Sequence, residues 1–448
     1  VIVTKFGGTS VADADAIRRT AEIVRGRLDR HPIVVVSAMA GVTNALLSLA
    51  EQAVAGQLIA AVQAVEELRA RHFRETERLL GDSAAAGELC AEMSVMFDDL
   101  ASLVGALAVL GHLTPRSLDA IASTGELLST HLVVAAYQAV GLPAVLVDAR
   151  RVLITDDAFT RAAPQTDAIA GAAREIVLPI VRAGQVPILA GFVGATPAGL
   201  TTTLGRGGSD YSAALLGAAL QADAIEIWTD VDGMLTADPR VVPGARLIEQ
   251  IRFEEASELA SFGAKVLHPL TIAPAVRQGI PVFIYNSMRP TGLGTRITFE
   301  APRRAVTAIA GKRGTSVVKV RSSRMLLSHG FLRTIFDVFE RHRTSVDVVA
   351  TSEVSVSVTV DHDERLDAVL LELAGLGDVS VERARGIVAI VGAGLTDDSA
   401  TMSTALGALH GIHLHMLSLS ATGINLTVIV DGEQVPVAIR QLHAAFFA

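Results

Sequence analysis

The sequence predicts an α/β protein: a mainly parallel sheet covered by helices on both faces, followed by two small ferredoxin-like modules. Three observations lead there. Short runs rich in Val and Ile alternate with helix-periodic segments over the first two thirds of the chain. A long helical block interrupts that rhythm between residues 44 and 118. Beyond the turn formers Arg289-Pro290-Thr291-Gly292-Leu293-Gly294, the elements shorten and follow a β-α-β-β-α-β order.

The strands expected in the first part are Val1–Phe6, Ile33–Ser37, Ala144–Val147, Val186–Gly191, Ala224–Trp228 and Val282–Tyr285. Between them, Ala12–Arg27 and Ser212–Leu220 carry apolar residues at three- and four-residue steps, which reads as helix. In the interrupting block, Leu58, Val62, Val65, Leu68 and Leu79 form an apolar stripe, with Glu66, Glu67, Arg69, Arg71, Arg74 and Glu75 mostly off it. The tail reads as strand Val317–Arg321, helix Phe331–His342, strands Val346–Ala350 and Val354–Val360, helix Leu366–Leu376 and strand Val379–Glu382. A looser second pass runs through Gly386–Val391, Ser399–His410, His415–Ser418, Asn425–Val430 and Val435–Phe446. The division expected is residues 1–298 with the helical insertion 44–118, then 299–448.

Composition removes several classes. Half the 448 residues are hydrophobic and 19% are charged, so the chain has material for large cores and is not disordered. Thirty-eight Lys and Arg against 47 Asp and Glu give a net charge of −9 without a long basic run, which argues against a nucleic-acid partner. A single cysteine, Cys90, forms neither an internal disulfide nor a cysteine metal cluster. Val1-Ile2-Val3 lacks the marks of a secretory leader, so a reducing, cytoplasmic setting is expected. Residues 399–430 lack Asp, Glu, Lys and Arg, enough to span a bilayer by length. Their apolar residues come in short bursts among His410, His413, His415 and Asn425, and a buried soluble segment is expected instead of a membrane span.

Chemistry concentrates in four places. Lys5-Phe6-Gly7-Gly8-Thr9-Ser10 follows a strand and precedes a helix, where glycines let the backbone approach an anion and Lys5 adds charge. By itself this run also reads as a tight strand-to-helix turn. Gly205-Arg206-Gly207-Gly208-Ser209-Asp210 puts a forked cation between glycines, suited to a carboxylate or phosphate. Asp210 also reads as a helix cap. Thr229-Asp230-Val231-Asp232-Gly233, with Asp238-Pro239-Arg240 beyond, and Phe262–Pro269 with Lys265 complete the set; the first two also read as ordinary turns. No Walker A loop and no G-x-G-x-x-G fingerprint occurs.

In their order and spacing, Lys5–Val11, Ser123-Thr124-Gly125-Glu126, Gly191-Phe192, Arg206–Asp210, Thr229–Gly233 and Phe262–Pro269 make this chain resemble the aspartokinases. These have the amino-acid kinase fold with tandem ACT modules behind it, and the resemblance spans essentially the whole chain. It implies transfer of the ATP γ-phosphoryl group, with Mg²⁺, to the side-chain carboxylate of L-aspartate. That nucleophile is already ionised near neutral pH and needs no general base. The task left is electrostatic: two anions must meet and the transferred group's charge must be stabilised. By resemblance, Lys5 stabilises the phosphoryl group, Gly7, Gly8 and Ser10 form the anion loop, and Asp210 orients the lysine. Thr229, Asp230, Arg240 and Lys265 bind nucleotide. Arg206 reads the α-carboxylate of aspartate and Glu126 its α-amino group, with Ser37, Thr43, Phe192 and Ser209 lining the pocket. Leu235 stands where many relatives carry a tyrosine beside the adenine.

The tail resembles the ACT pair of amino-acid-inhibited aspartokinases. That implies an effector site at Met325, Ser328, Gly330, Phe331, Leu332, Ser345, Val346 and Asp347, with Asp347 able to pair an effector amine. Lysine is the expected effector and threonine the second, and homodimerisation through the ACT modules is expected. Two alternatives stand beside this: an N-acetylglutamate or glutamate kinase on the same fold, and a non-catalytic amino-acid sensor.

Overall fold

The computed structural model covers the whole chain and describes all residues except 206, 264–268, 327–328 and 362–363. The chain divides into two compact units: Val1–Met234 with Val266–Phe299, and Leu235–Lys265 with Glu300–Ala448.

In the first unit the strands Ile2–Phe6, Pro32–Val36, Ala144–Val147, Val186–Ala190, Ala224–Thr229 and Val282–Asn286 fall within a residue of the expected runs at each end. Each is buried enough to tolerate little polarity, as a sheet covered on both faces requires. Neighbours run in the order 144–147, 186–190, 32–36, 2–6, 224–229, 282–286, all parallel, and the antiparallel Thr295–Ile297 follows. The short antiparallel pair Val193–Ala195 and Thr201–Thr203 was not visible in the sequence, because three residues carry too little pattern.

The insertion is helical: Val42–Val54, Leu58–Leu80 and Ala84–Leu110, leading into Pro115–Ala139. The expected stripe on Leu58–Leu80 requires partial correction. Val65 and Leu68 face the core as expected, together with Ala61, His72 and Thr76, whereas Leu58 is 40% and Val62 36% exposed. The apolar count missed His72 and Thr76 because they are polar. Both bond along the helix: the His72 Nδ1 meets the Leu68 carbonyl at 2.7 Å, and the Thr76 hydroxyl donates to the His72 carbonyl at 3.0 Å, while His72 Nε2 has no partner among the described residues. Burial lowers the His72 pKa to about 4, so the ring is neutral. Ala84–Leu110 is long and apolar enough to cross a membrane by composition alone, but Leu89, Met93, Phe97, Leu100, Val104 and Leu107 pack into the core of this unit.

In the second unit, 14-residue strands Ala308–Arg321 and Asp378–Val391 lie side by side in a six-stranded sheet. Residues 316–321 pair with Ser355–Val360 and with 378–382, while 308–313 pair with 386–391, which also pair with Asn425–Asp431. A register shift between Arg313 and Val317 separates the halves. The second module therefore takes a strand from before the first, which explains why a sequential reading found its order loose. One core forms around Val318, Ile335, Phe339 and Val358, and the other around Ile309, Val388, Leu426 and Leu442. Residues 399–430 fold as helix Ser399–Ala408 with strands Met416–Leu419 and Asn425–Asp431. The segment Leu235–Lys265 belongs to this unit: Ala237 and Val242 enter the second core, and the Ile309 N–H donates to the Thr236 carbonyl at 2.8 Å.

Candidate active site

Strand Ile2–Phe6 is central in the parallel sheet, and successive crossovers leave it first toward 32–36 and later toward 224–229. That reversal opens a crevice at the carboxyl ends of the strands, the usual ligand site in open α/β sheets. Four strand ends deliver candidate residues there: Lys5 with Gly7 and Gly8, Ser37, Phe192, and Thr229 with Asp230.

The loop after the first strand is drawn in tightly. The Gly7 N–H donates to the Trp228 carbonyl at 3.0 Å, and a Cβ on Gly8 would lie 2.9 Å from the Ala38 carbonyl oxygen. No side chain fits at Gly8. The short turn Gly8–Val11 begins here, and its first N–H groups have no partner within the turn. Ser10 lies in the expected anion loop, with its side chain turned to the sheet. Its buried hydroxyl lies 2.8 Å from Ser287 Oγ and 3.2 Å from the Trp228 carbonyl, so the side chain secures the loop to the sheet.

A cavity of about 590 Å³ opens beside this loop, lined by Lys5, Ser37, Thr43, Glu126, Phe192, Ser209 and Asp210 among others. Seven side chains spread between residues 5 and 210, only Ser209 and Asp210 being neighbours in sequence, thus meet in one place. Lys5 Nζ lies 2.6 Å from Asp210 Oδ1, with both side chains at least 86% buried. Asp210 sits in the first turn of helix Gly208–Leu220, whose start faces the same cavity. An acid there is stabilised by the helix dipole, and it pins the lysine.

Glu126 enters from helix Pro115–Ala139, capped by the Thr114 side chain on the Ser117 N–H. Gly125 lets that helix pack closely, since a Cβ there would meet Ala38, Leu46 and Val42 at 3.0–3.1 Å. Glu126 is only 4% exposed, and its Oε2 has no hydrogen-bond partner among the described residues. Burial raises its pKa to about 8, partly offset by the Ala38 N–H and the charge of Lys5. A buried acid without a cation is a costly element unless a ligand supplies the charge.

Sequence reasoning missed Asp119, Asn44, Thr160 and Thr203, which also line the cavity. Asp119 is 1% exposed and accepts bonds from Thr160 and Thr203. A capping-box or turn signature does not surround it, so nothing local marks it. Phe192 and Thr160 have φ of 67° and 71°, in the left-handed region that bulky residues avoid. The Phe192 N–H is held by Ser212 Oγ at 2.9 Å, and its carbonyl accepts the Leu204 N–H at 3.0 Å.

Of the expected nucleotide residues, Thr229 closes strand Ala224–Thr229 and its carbonyl accepts the Ser287 N–H at 2.8 Å. Its hydroxyl donates to exposed Asp230 at 3.2 Å. Arg240, in the second unit, forms a forked ion pair with Asp238, the shortest contact being 2.6 Å, and its side chain is 83% exposed. Arg206, Lys265 and Ser328 lie outside the described residues.

At the expected effector site, Gly330 caps helix Phe331–Arg341, and Met325, Phe331 and Val346 pack partly against the first module's core. Leu332 is 40% exposed and Ser345 is exposed. Asp347 was expected to be open to an effector amine. Instead Lys312 Nζ sits 2.7 Å from it and 2.7 Å from Asp361, so the chain's own ammonium holds that carboxylate.

A profile of the amino acid kinase family matches residues 1–286, and an ACT domain profile matches 388–446. The chain is 39% identical over 456 residues to lysine-sensitive aspartokinase 3 of Escherichia coli, covering all of this chain and 99% of that protein. It is 36% identical to chloroplastic aspartokinase 3 of Arabidopsis thaliana, covering 99% of this chain and 81% of that one. The solved structure of E. coli aspartokinase III with aspartate and ADP aligns over the full length of both chains, with TM-score 0.87 and 38% identity. The same protein with lysine and aspartate aligns with TM-score 0.82. A crevice at a sheet reversal, a lysine paired to a helix-start aspartate, a buried acid with one oxygen unpartnered among the described residues and likeness along the full length agree: the chain belongs to the aspartokinases of the amino acid kinase family.

Proposed function

We propose that this aspartokinase transfers the γ-phosphoryl group of ATP to the side-chain carboxylate of L-aspartate, giving 4-phospho-L-aspartate, with residues 1–298 performing the chemistry. The observation that carries the reading is the convergence in one cavity of the Lys5–Asp210 pair and buried Glu126, whose Oε2 has no hydrogen-bond partner among the described residues. The aspartate α-ammonium supplies the charge Glu126 lacks, and binding draws off the proton that burial keeps on it. Lys5, fixed by Asp210, meets the charge that builds on the phosphoryl oxygens. Gly7 and Gly8 let the phosphates approach the backbone, and Ser10 holds that loop in place. Ser37, Thr43, Phe192 and Ser209 shape the wall around the amino acid, and Arg206 reads its α-carboxylate. Thr229, Asp230, Arg240 and Lys265 serve the nucleotide.

Magnesium enters with ATP. Among the described residues no group of three His, Cys, Asp or Glu side chains could hold a metal ion. Its charge would offset that of the phosphates.

Residues 299–448 regulate the reaction in response to an amino acid, lysine first and threonine second, in a cytoplasmic homodimer. The outer strands Val349–Thr351 and Met416–Leu419 of the six-stranded sheet expose Val349, Leu417 and Leu419, which supports pairing with a second copy. A hydroxylamine trap tests the central claim. With ATP, Mg²⁺ and a panel of acids, aspartyl hydroxamate should form. Trapping of glutamyl or N-acetylglutamyl product alone, or of none, overturns it, since an acetylated amine offers Glu126 no cation.

A further inference from the structure

Three donors converge on one buried carboxylate beside the cavity. Asp119 Oδ2 accepts the N–H groups of Thr160 at 2.9 Å and Thr203 at 3.0 Å, and Oδ1 accepts the Thr203 hydroxyl at 2.6 Å. The Thr203 carbonyl in turn accepts the Ala162 N–H at 2.9 Å. Two segments far apart in sequence are thereby locked to each other and to helix Pro115–Ala139. Burial pushes the Asp119 carboxyl up, and the Thr203 and Thr160 donors oppose that shift.

The position gives this clamp a purpose. Asp119 and Glu126 are seven residues apart on one helix, about two turns, so both address the cavity from the same face. Strand Thr201–Thr203 is followed by Gly205 and Gly207, which line the same cavity, as does Thr160 at φ 71°. A backbone in that region persists only when its surroundings hold it. We propose that Asp119 is a positioning residue for amino-acid selection: it ties the helix that carries Glu126, which reads the substrate ammonium, to the part of the cavity lining formed by Thr160 and Thr203. The proposal rests on the aspartate-kinase reading and adds a residue to it.

Both N–H groups fall on one carboxyl oxygen and the hydroxyl on the other, so an amide in the same place keeps the set by turning its carbonyl to the N–H groups and its N–H₂ to the hydroxyl oxygen. Asp119→Asn is therefore the conservative variant, and Asp119→Ala removes all three bonds. The test is steady-state kinetics with both substrates varied on Asp119→Ala, Asp119→Asn, Thr203→Val and Thr203→Ser. Asp119→Ala should raise KM for aspartate about tenfold or more, as a misplaced binding wall does, with KM for ATP held within about twofold. Asp119→Asn should stay near the parent. Thr203→Val, which loses only the hydroxyl, should fall between Asp119→Ala and the parent, and Thr203→Ser should restore parental values. An unchanged KM for aspartate in Asp119→Ala, or a parallel rise in both KM values, overturns the proposal. If Asp119→Ala does not fold, the Thr203 pair carries the same test. A parent enzyme that forms no aspartyl hydroxamate counts against the kinase reading. A parent that turns over beside an unaltered Asp119→Ala counts against Asp119 alone.

Discussion

Two carboxylates, one in each unit, invite comparison. Glu126 is 4% exposed, which drives its pKa up to about 8, and its Oε2 has no partner among the described residues. Asp347 has a side chain 26% exposed and is held at 2.7 Å by Lys312, which also holds Asp361. Both were expected to receive the amine of an amino acid. The first is open to one; the second already has an ammonium from its own chain. A substrate site in a folded protein shows itself as an unsatisfied buried group, because only the ligand completes it. A site with an internal stand-in is satisfied at rest, and a ligand must displace or share that stand-in.

The largest effect is expected at Lys5. Replacing it by Met removes a cation from the reacting phosphoryl and leaves Asp210 buried without its partner, lowering kcat on the order of 10²–10³-fold. Lys312→Met, by contrast, should leave kcat unchanged in the same assay. A comparable fall in both would break the distinction between a reacting pair and a regulatory one.

Next comes Glu126. Because its pKa in the free enzyme is raised to about 8, kcat/KM for aspartate should rise with pH up to about 8, where the acid has lost its proton. Glu126→Gln should abolish that limb and lower kcat/KM about 10- to 100-fold, the loss of one charge-assisted contact. Stability carries the opposite sign. A carboxylate with a raised folded pKa favours the folded state most at pH below its ordinary 4.5, and that contribution disappears as pH climbs through about 8. The Gln variant's thermal midpoint should therefore depend less on pH over that window. Identical pH profiles for parent and variant would remove Glu126 from the substrate site.

Lys312→Met sharpens the second half of the comparison. With the internal ammonium gone, Asp347 and Asp361 are free for an effector amine, and the lysine concentration giving half-inhibition should fall about fivefold or more. An unchanged inhibition curve means the Lys312 pair is purely structural. The smallest effect is expected at Ile59, 86% exposed on the insertion. Ile59→Ser should shift unfolding stability by no more than about 0.5 kcal/mol in denaturant titration.

Much of the site was legible beforehand, for a physical reason. Phosphate and carboxylate recognition demands glycines, a lysine and an acid at strand ends, and such clusters stand out against apolar runs. Lys5, Ser37, Thr43, Glu126, Phe192, Ser209 and Asp210 do share one cavity. Asp119 was illegible because its donors lie 41 and 84 residues away, and a distant backbone N–H leaves no mark on local pattern. The anchoring of the Ser10 hydroxyl to Ser287 and Trp228 was illegible because sequence does not reveal where a hydroxyl points. The face of Leu58–Leu80 was placed only in part because His72 and Thr76, polar by composition, are buried by bonding along their own helix.

The strands, their order of appearance, the helical insertion and the two-module tail were determined by the sequence itself, since alternation between buried Val and Ile runs and amphipathic helices is a local property. Tertiary structure alone decided which distant groups complete one another. It set Lys5 against Asp210, buried Glu126 with one oxygen unpartnered among the described residues, gave Asp347 to Lys312 and lent the second regulatory module a strand from residues 308–313. Partnership between charges depends on distance and burial in space, and neither is a function of spacing along the chain.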